Sequence, residues 1–171
     1  MKHYRKQRDS WRDRHEERLI TRKVRQEKGG GFKCSHCRQW VPINQYMGTG
    51  NRNHCNACLW SKHVDLKKGD RKAACQAGMR PIGLTFRIED SLHSGEIMLI
   101  HDCSGCEKIS INRIAADDGE RQILDVFNAS FALPAEHRGR LQAGDIYLAG
   151  EPDKSNILNQ LFGLGHHPTG V

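Results

Sequence analysis

The sequence predicts a small α+β fold in which short strands precede helices around a modest core. Three observations support this class. Apolar residues make up 37% of the 171 and aromatics only 6%, too few for a core that stabilises the chain unaided. Two runs, Ile82–Ile88 and Ile97–Ile100, have the composition of strands. Helical spacing of apolar groups in the folded part first becomes clear after residue 119.

The chain begins with a highly charged arm. Residues 1–28 carry 11 Lys/Arg and 5 Asp/Glu, a net of +6, whereas residues 29–171 carry 16 and 15, a net of +1. The arm has no proline or glycine, and its sizeable apolar groups are only Tyr4, Trp11, Leu19, Ile20 and Val24. That is too little to pack a core, so a solvated helix or a segment that orders on a partner is expected. Gly29-Gly30-Gly31 reads as a hinge to the body, so residues 1–31 form the arm and its hinge.

The body is expected over residues 32–118. FKCSHCRQWV and RNHCNACLW read as tight turns with short extended flanks. The two predicted strands are joined through residues 89–95, and the second runs directly into His101-Asp102-Cys103-Ser104-Gly105-Cys106. Residues 119–171 form a C-terminal extension. Ile123, Leu124, Phe127 and Phe131 recur at helical spacing. Pro134 opens a second helix, Ile146-Tyr147-Leu148 suggests a strand, and Ser155 is the expected N-cap of a last helix closed by Gly163.

Six of the seven cysteines fall into C-x-x-C pairs at 34/37, 55/58 and 103/106, and Cys75 stands apart. An odd count and regular pairing argue against a disulfide framework. A C-x-x-C turn offers two sulfurs from one loop, and two such turns supply the four soft ligands of tetrahedral zinc. Cys34, Cys37, Cys55 and Cys58 make the first predicted site. Cys75, Cys103 and Cys106 then need a fourth ligand. His63 is preferred over His101, because His101 lies only two residues before Cys103, at the end of a predicted strand, where its side chain is expected to point away from the metal held by the turn. Two zinc ions are therefore expected, in a zinc-ribbon-like domain.

From Arg52-Asn53-His54-Cys55 onward, the chain resembles the RNHCP-domain family, a zinc-ribbon-like group. The resemblance extends through Cys58–Asp65, Gly69-Asp70-Arg71, Cys75, Gly78-Met79 and Pro81-Ile82-Gly83. It closes with His101–Cys106 and Asn112–Asp118. Asn56 stands where the family name has proline. The resemblance implies the fold and the metal, but no particular activity.

For function, the basic arm points to RNA, most readily ribosomal RNA or the ribosome, bound without catalysis. Arg5, Lys6, Arg8, Arg12, Arg14, Arg18, Arg22, Lys23 and Arg25 are the arm's candidate phosphate contacts, and Arg52, Asn53 and Arg113 are those of the body. Two other classes are weighed. An HNH-like nuclease would use His63 as base with a hard cation, and an interaction adaptor would dock through the C-terminal part. No apolar run approaches the roughly 20 residues that span a bilayer, and the N-terminus lacks a secretory pattern. A cytoplasmic protein is expected.

Overall fold

The computed structural model describes residues 30–43, 46–48, 52–67, 69–88 and 95–163; the arm and its candidate RNA contacts, from Arg5 to Arg25, lie outside these residues. The class is α+β, as expected. Strand β1 (Gly31–Lys33) pairs antiparallel with β2 (Trp40–Pro42) in a hairpin across the first C-x-x-C turn. The second sheet is an antiparallel meander of β3 (Ser61–Lys62), β4 (Gly78–Phe86), β5 (Ile97–Cys103) and β6 (Ile109–Arg113).

Gly31 is a strand residue, not part of a hinge. It faces Pro42 with φ +129°, and a Cβ there would come within 2.4 Å of the Val41 carbonyl. Only glycine suits that position. The register of β4 slips between Pro81 and Gly83. Proline has no N–H for the ladder, so a bulge at this point is the economical solution.

Three α-helices follow: α1 (Glu120–Ser130), α2 (Ala135–Ala143) and, after a short 3₁₀ turn, α3 (Lys154–Phe162). Gly163 ends α3 in the left-handed conformation, as its sequence position predicts. The expected strand at 146–148 is instead irregular chain, tied to β4 by a 2.8 Å bond from Ala149 N–H to the Leu84 carbonyl. Ser155 lies inside α3, whose N-cap is Asp153.

The main core joins sheet and extension. Leu84, Ile97 and Leu99 pack with Ile123 and Phe127 of α1, Ile157 of α3, and Leu59 from the second cysteine turn. Full burial of each such side chain contributes about 1.5–3 kcal/mol. The helices beyond residue 118 therefore complete the hydrophobic centre of the domain. Phe131, expected on the buried face of α1, caps that helix and is 44% exposed. A second, smaller cluster sets Leu141 of α2 on Ile82 and Ile100. No described helix is long and apolar enough to cross a membrane.

Candidate metal centres

Three turns share one backbone design. In Cys34–Gln39, Cys55–Trp60 and Cys103–Lys108, the first cysteine's N–H donates to the carbonyl five residues on, at 2.8, 3.0 and 2.9 Å. Its carbonyl accepts from the N–H four residues on, at 3.1, 2.8 and 3.3 Å. The residue after each second cysteine is left-handed: Arg38 (φ 65°), Leu59 (φ 60°) and Glu107 (φ 60°). Gln76, after Cys75, has φ 53°. None of these is glycine, and the left-handed region costs an L-residue about 1–2 kcal/mol. The turn is worth that cost because it aims backbone N–H groups at sulfur. Cys55 receives them from Ala57 and Cys58, and Cys103 from Gly105 and Cys106. The turn makes no such demand on the N–H of residue 56, so Asn56 serves where the family name has proline.

This geometry yields a simple prediction. Glu107→Gly is expected to leave stability within about 0.5 kcal/mol or raise it, and Glu107→Val to lower it by about 1–2 kcal/mol. Chemical denaturation of the two variants checks both signs.

The turns bring together two groups of four donors, Cys34/Cys37/Cys55/Cys58 and His63/Cys75/Cys103/Cys106, each with its ligand atoms within 4.8 Å of one another. In the first, Cys34 and Cys58 sulfurs are 3.7 Å apart and those of Cys37 and Cys55 3.6 Å. Four sulfurs bound at about 2.3 Å around a tetrahedral zinc stand about 3.8 Å apart. In the second group the Cys75–Cys103 and Cys103–Cys106 distances are both 3.6 Å. His63 Nδ1 lies 3.4 Å from Cys103 Sγ and 3.2 Å from Cys106 Sγ. The two groups are positioned to hold two zinc ions. All eight ligands expected from the sequence are brought together, with His63 as the fourth member of the second set.

The thiols themselves call for a cation. The Gln39 N–H pulls the Cys37 thiol down to about 7. Burial pushes Cys55 and Cys58 upward, Cys58 strongly. Four crowded thiols cannot all ionise without a positive centre, and zinc supplies one.

His101, the alternative ligand, has a different task. It is wholly buried, and its Nε2–H donates to the Leu59 carbonyl at 2.7 Å. Its Nδ1 must then accept, and the Asn112 amide donates to it at 2.8 Å. That orients Asn112, whose side-chain oxygen accepts from the Asn53 amide. Asn53 in turn presents its oxygen to His54 Nδ1 at 3.0 Å. His54 Nε2 meets Asp118 Oδ2 at 2.7 Å, and the same oxygen accepts the Ala115 N–H at 2.7 Å. Because a carbonyl only accepts, the donors from His101 to His54 Nδ1 are determined from the Leu59 end. Burial pushes His101 down to about 4, against the upward pull of the Leu59 carbonyl, so the neutral ring that this pattern needs is the stable form near neutral pH.

Arg52 completes the network. Its side chain is enclosed, hydrogen-bonded to Asp117 and 3.7 Å from Asp118. Arg52, Asn53 and His54 thus stitch the second cysteine turn to β6 and to the loop before α1. The body's expected RNA contacts change accordingly. Arg52 has no surface to offer, because its charge is matched inside the fold. Asn53 has both amide ends engaged. Arg113 keeps 38% of its side chain exposed while pairing with Glu96 at 2.8 Å. Asp118 precedes Gly119, the N-cap of α1, and its carboxylate faces His54. Short-range patterns miss this network because the ties from Arg52, Asn53 and His54 to Asp117, Asn112 and Asp118 span 59 to 65 residues.

Residues 29–124 match the family described as the RNHCP domain. The chain belongs to the RNHCP-domain family. The match takes in all eight metal ligands and the whole buried network, and it reaches into the first turn of α1. No curated protein and no solved structure matches the chain. In this family member the naming residues Arg52, Asn53 and His54 are structural ties, and Cys55 is a ligand. The extension outside the match is fastened to the second centre. Arg140 of α2 donates to Asp102 Oδ1 at 2.8 Å and to the Glu107 carbonyl at 2.8 Å.

Proposed function

We propose that this RNHCP-domain protein is a non-catalytic RNA-binding module, with ribosomal RNA or the ribosome as its partner. The carrying observation is the charge distribution: a net of +6 over residues 1–28 beside a remainder of +1. A run of cations of this density releases counterions on meeting phosphates, which drives sequence-independent binding. The cytoplasm, where such RNA resides, is the corresponding location.

The metal centres support a structural role within this reading. Each donor set already has four protein ligands. Closed sets of this kind are typical of structural zinc, whereas catalytic zinc keeps a position open. The nuclease alternative is weakened at its base. His63 Nδ1 belongs to the second donor set, and Asp65 is occupied by the backbone N–H groups of Gly69 and Arg71.

The test is RNA binding measured across a salt series with the full chain and a chain lacking residues 1–28. The full chain is expected to lose affinity with a log–log slope of about −0.7 to −0.9 per phosphate contact, and the shortened chain to bind more weakly with a flatter slope. A full chain that ignores RNA and ribosomes at low salt would overturn the proposal. Cleavage of RNA or DNA with added magnesium, lost in His63→Ala, would favour the nuclease.

A further inference from the structure

Between His63 and Cys75, two ligands of one donor set, the chain forms a loop of 11 residues whose ends are stapled by the second metal centre. The neck is closed again by a 3.0 Å bond from the Ala73 N–H to the Val64 carbonyl. Inside, two carboxylates serve the backbone. Asp65 accepts the N–H groups of Gly69 and Arg71 at 3.2 and 2.8 Å. Asp70 accepts those of Leu66, Lys67 and Lys72 at 2.9, 3.1 and 3.1 Å. From the neighbouring cysteine turn, Lys108 Nζ donates to the Leu66 carbonyl at 2.6 Å.

The consequence is a separation of charge. Both acids are turned to the loop's own amides, while Lys67, Arg71 and Lys72 are exposed with no carboxylate partner among the described residues. Residues 62–72 contain five cations and two acids. The one large apolar group on the loop is Leu66, 54% exposed, and no aromatic lies on it. Protein-binding surfaces depend on buried aromatic or aliphatic anchors, whereas a rigid set of free cations suits phosphates.

We infer that the described part of this loop, residues 64–67 and 69–74, is a second, preorganised RNA-backbone contact, in which Lys67, Arg71 and Lys72 meet phosphates. This rests on the RNA-binding reading above and adds a surface on the folded body to the arm. It also gives the second metal centre a purpose, since the staple holds three cations in one place without their having to be ordered on binding.

The experiment compares the full-length wild type with Lys67→Gln/Arg71→Gln/Lys72→Gln, and with the control Arg121→Gln/Lys154→Gln on the helices, over a salt series with structured RNA. Zinc content is measured for each. The loop variant is expected to keep two zinc ions, to bind about 30- to 100-fold more weakly near 0.1 M salt, and to lose about 2–3 from the slope. The control is expected to change affinity less than threefold. Asp65→Ala supplies a test of opposite sign. Charge alone predicts tighter binding when an acid is removed, whereas a preorganised loop predicts weaker binding, at least threefold, with both zinc ions kept. A loop variant equal to wild type in affinity and slope, with the arm deletion still losing binding, overturns the loop and leaves the RNA reading standing. Tighter binding by Asp65→Ala overturns the preorganised contact as well. A wild type that binds no RNA overturns both.

Discussion

Purified under reducing conditions, the protein is expected to carry two zinc ions, His63→Ala one, and His101→Asn two. The two histidines differ in what their rings face. His63 Nδ1 lies within 3.4 Å of two cysteine sulfurs, whereas His101 spends both nitrogens on Leu59 and Asn112. Loss of the second ion should loosen the loop between His63 and Cys75 while the sheet and α1 persist, because their shared core includes neither ligand. The first site should behave differently. Its second turn delivers Leu59, fully buried, into that core. Cys55→Ser is therefore expected to unfold much of the domain, since binding at a structural four-ligand zinc site is worth about 10–16 kcal/mol. Metal analysis by mass spectrometry, with far-ultraviolet circular dichroism on the same samples, reads both outcomes. One zinc in the wild type, or two in His63→Ala, would contradict the second donor set.

Arg52→Ala and Asp118→Ala are each expected to destabilise the domain by about 3–5 kcal/mol, since either change leaves a buried partner uncompensated. Both side chains are fully enclosed, and their neighbours are committed. Asp118 also holds His54 and the Ala115 N–H, so its removal leaves both without that partner. The double variant should cost clearly less than the sum of the two single changes, because the loss of the Arg52–Asp118 contact is counted in both. Denaturant unfolding at constant zinc measures the cycle. Effects below about 1 kcal/mol, the range of surface pairs, would mean that the network is dispensable. The contrast with RNA-contact expectations is direct: a surface guanidinium would leave stability unchanged and reduce RNA affinity, and Arg52→Ala is expected to do its damage before RNA is met.

Much of this was legible because it is local. The C-x-x-C pairs are adjacent in sequence, so they declare both the ligand and the turn that presents it. The helical spacing of Ile123 and Phe127 announces a buried face, and both pack on the sheet. The strands expected at 82–88 and 97–100 were visible from composition and exist with other bounds, β4 ending at Phe86 and β5 running on to Cys103, with Phe86 opposite Ile97 and Thr85 opposite Met98. Strand β6 was less so, because Ile109–Arg113 is short and mixes polar with apolar groups. Its identity comes from pairing with β5 across the cysteine turn. Ile146–Leu148 had the composition of a strand, but the ladder it would need is absent, and the segment spends its apolar groups on the small cluster around Leu141 instead.

By itself, then, the sequence determined the α+β class, the metal chemistry and seven thiol ligands, since sulfur, spacing and periodicity are properties of neighbouring residues. Only the tertiary structure decided between His63 and His101, because that choice depends on which ring the folded sheet turns toward the sulfurs. It alone assigned Arg52, Asn53 and His54 to the interior, where Asp117, Asp118 and Asn112 await them. A basic or amide side chain looks the same in sequence whether it faces phosphate or a buried carboxylate. What separates the two is burial, and burial is settled by contacts between residues far apart in the chain.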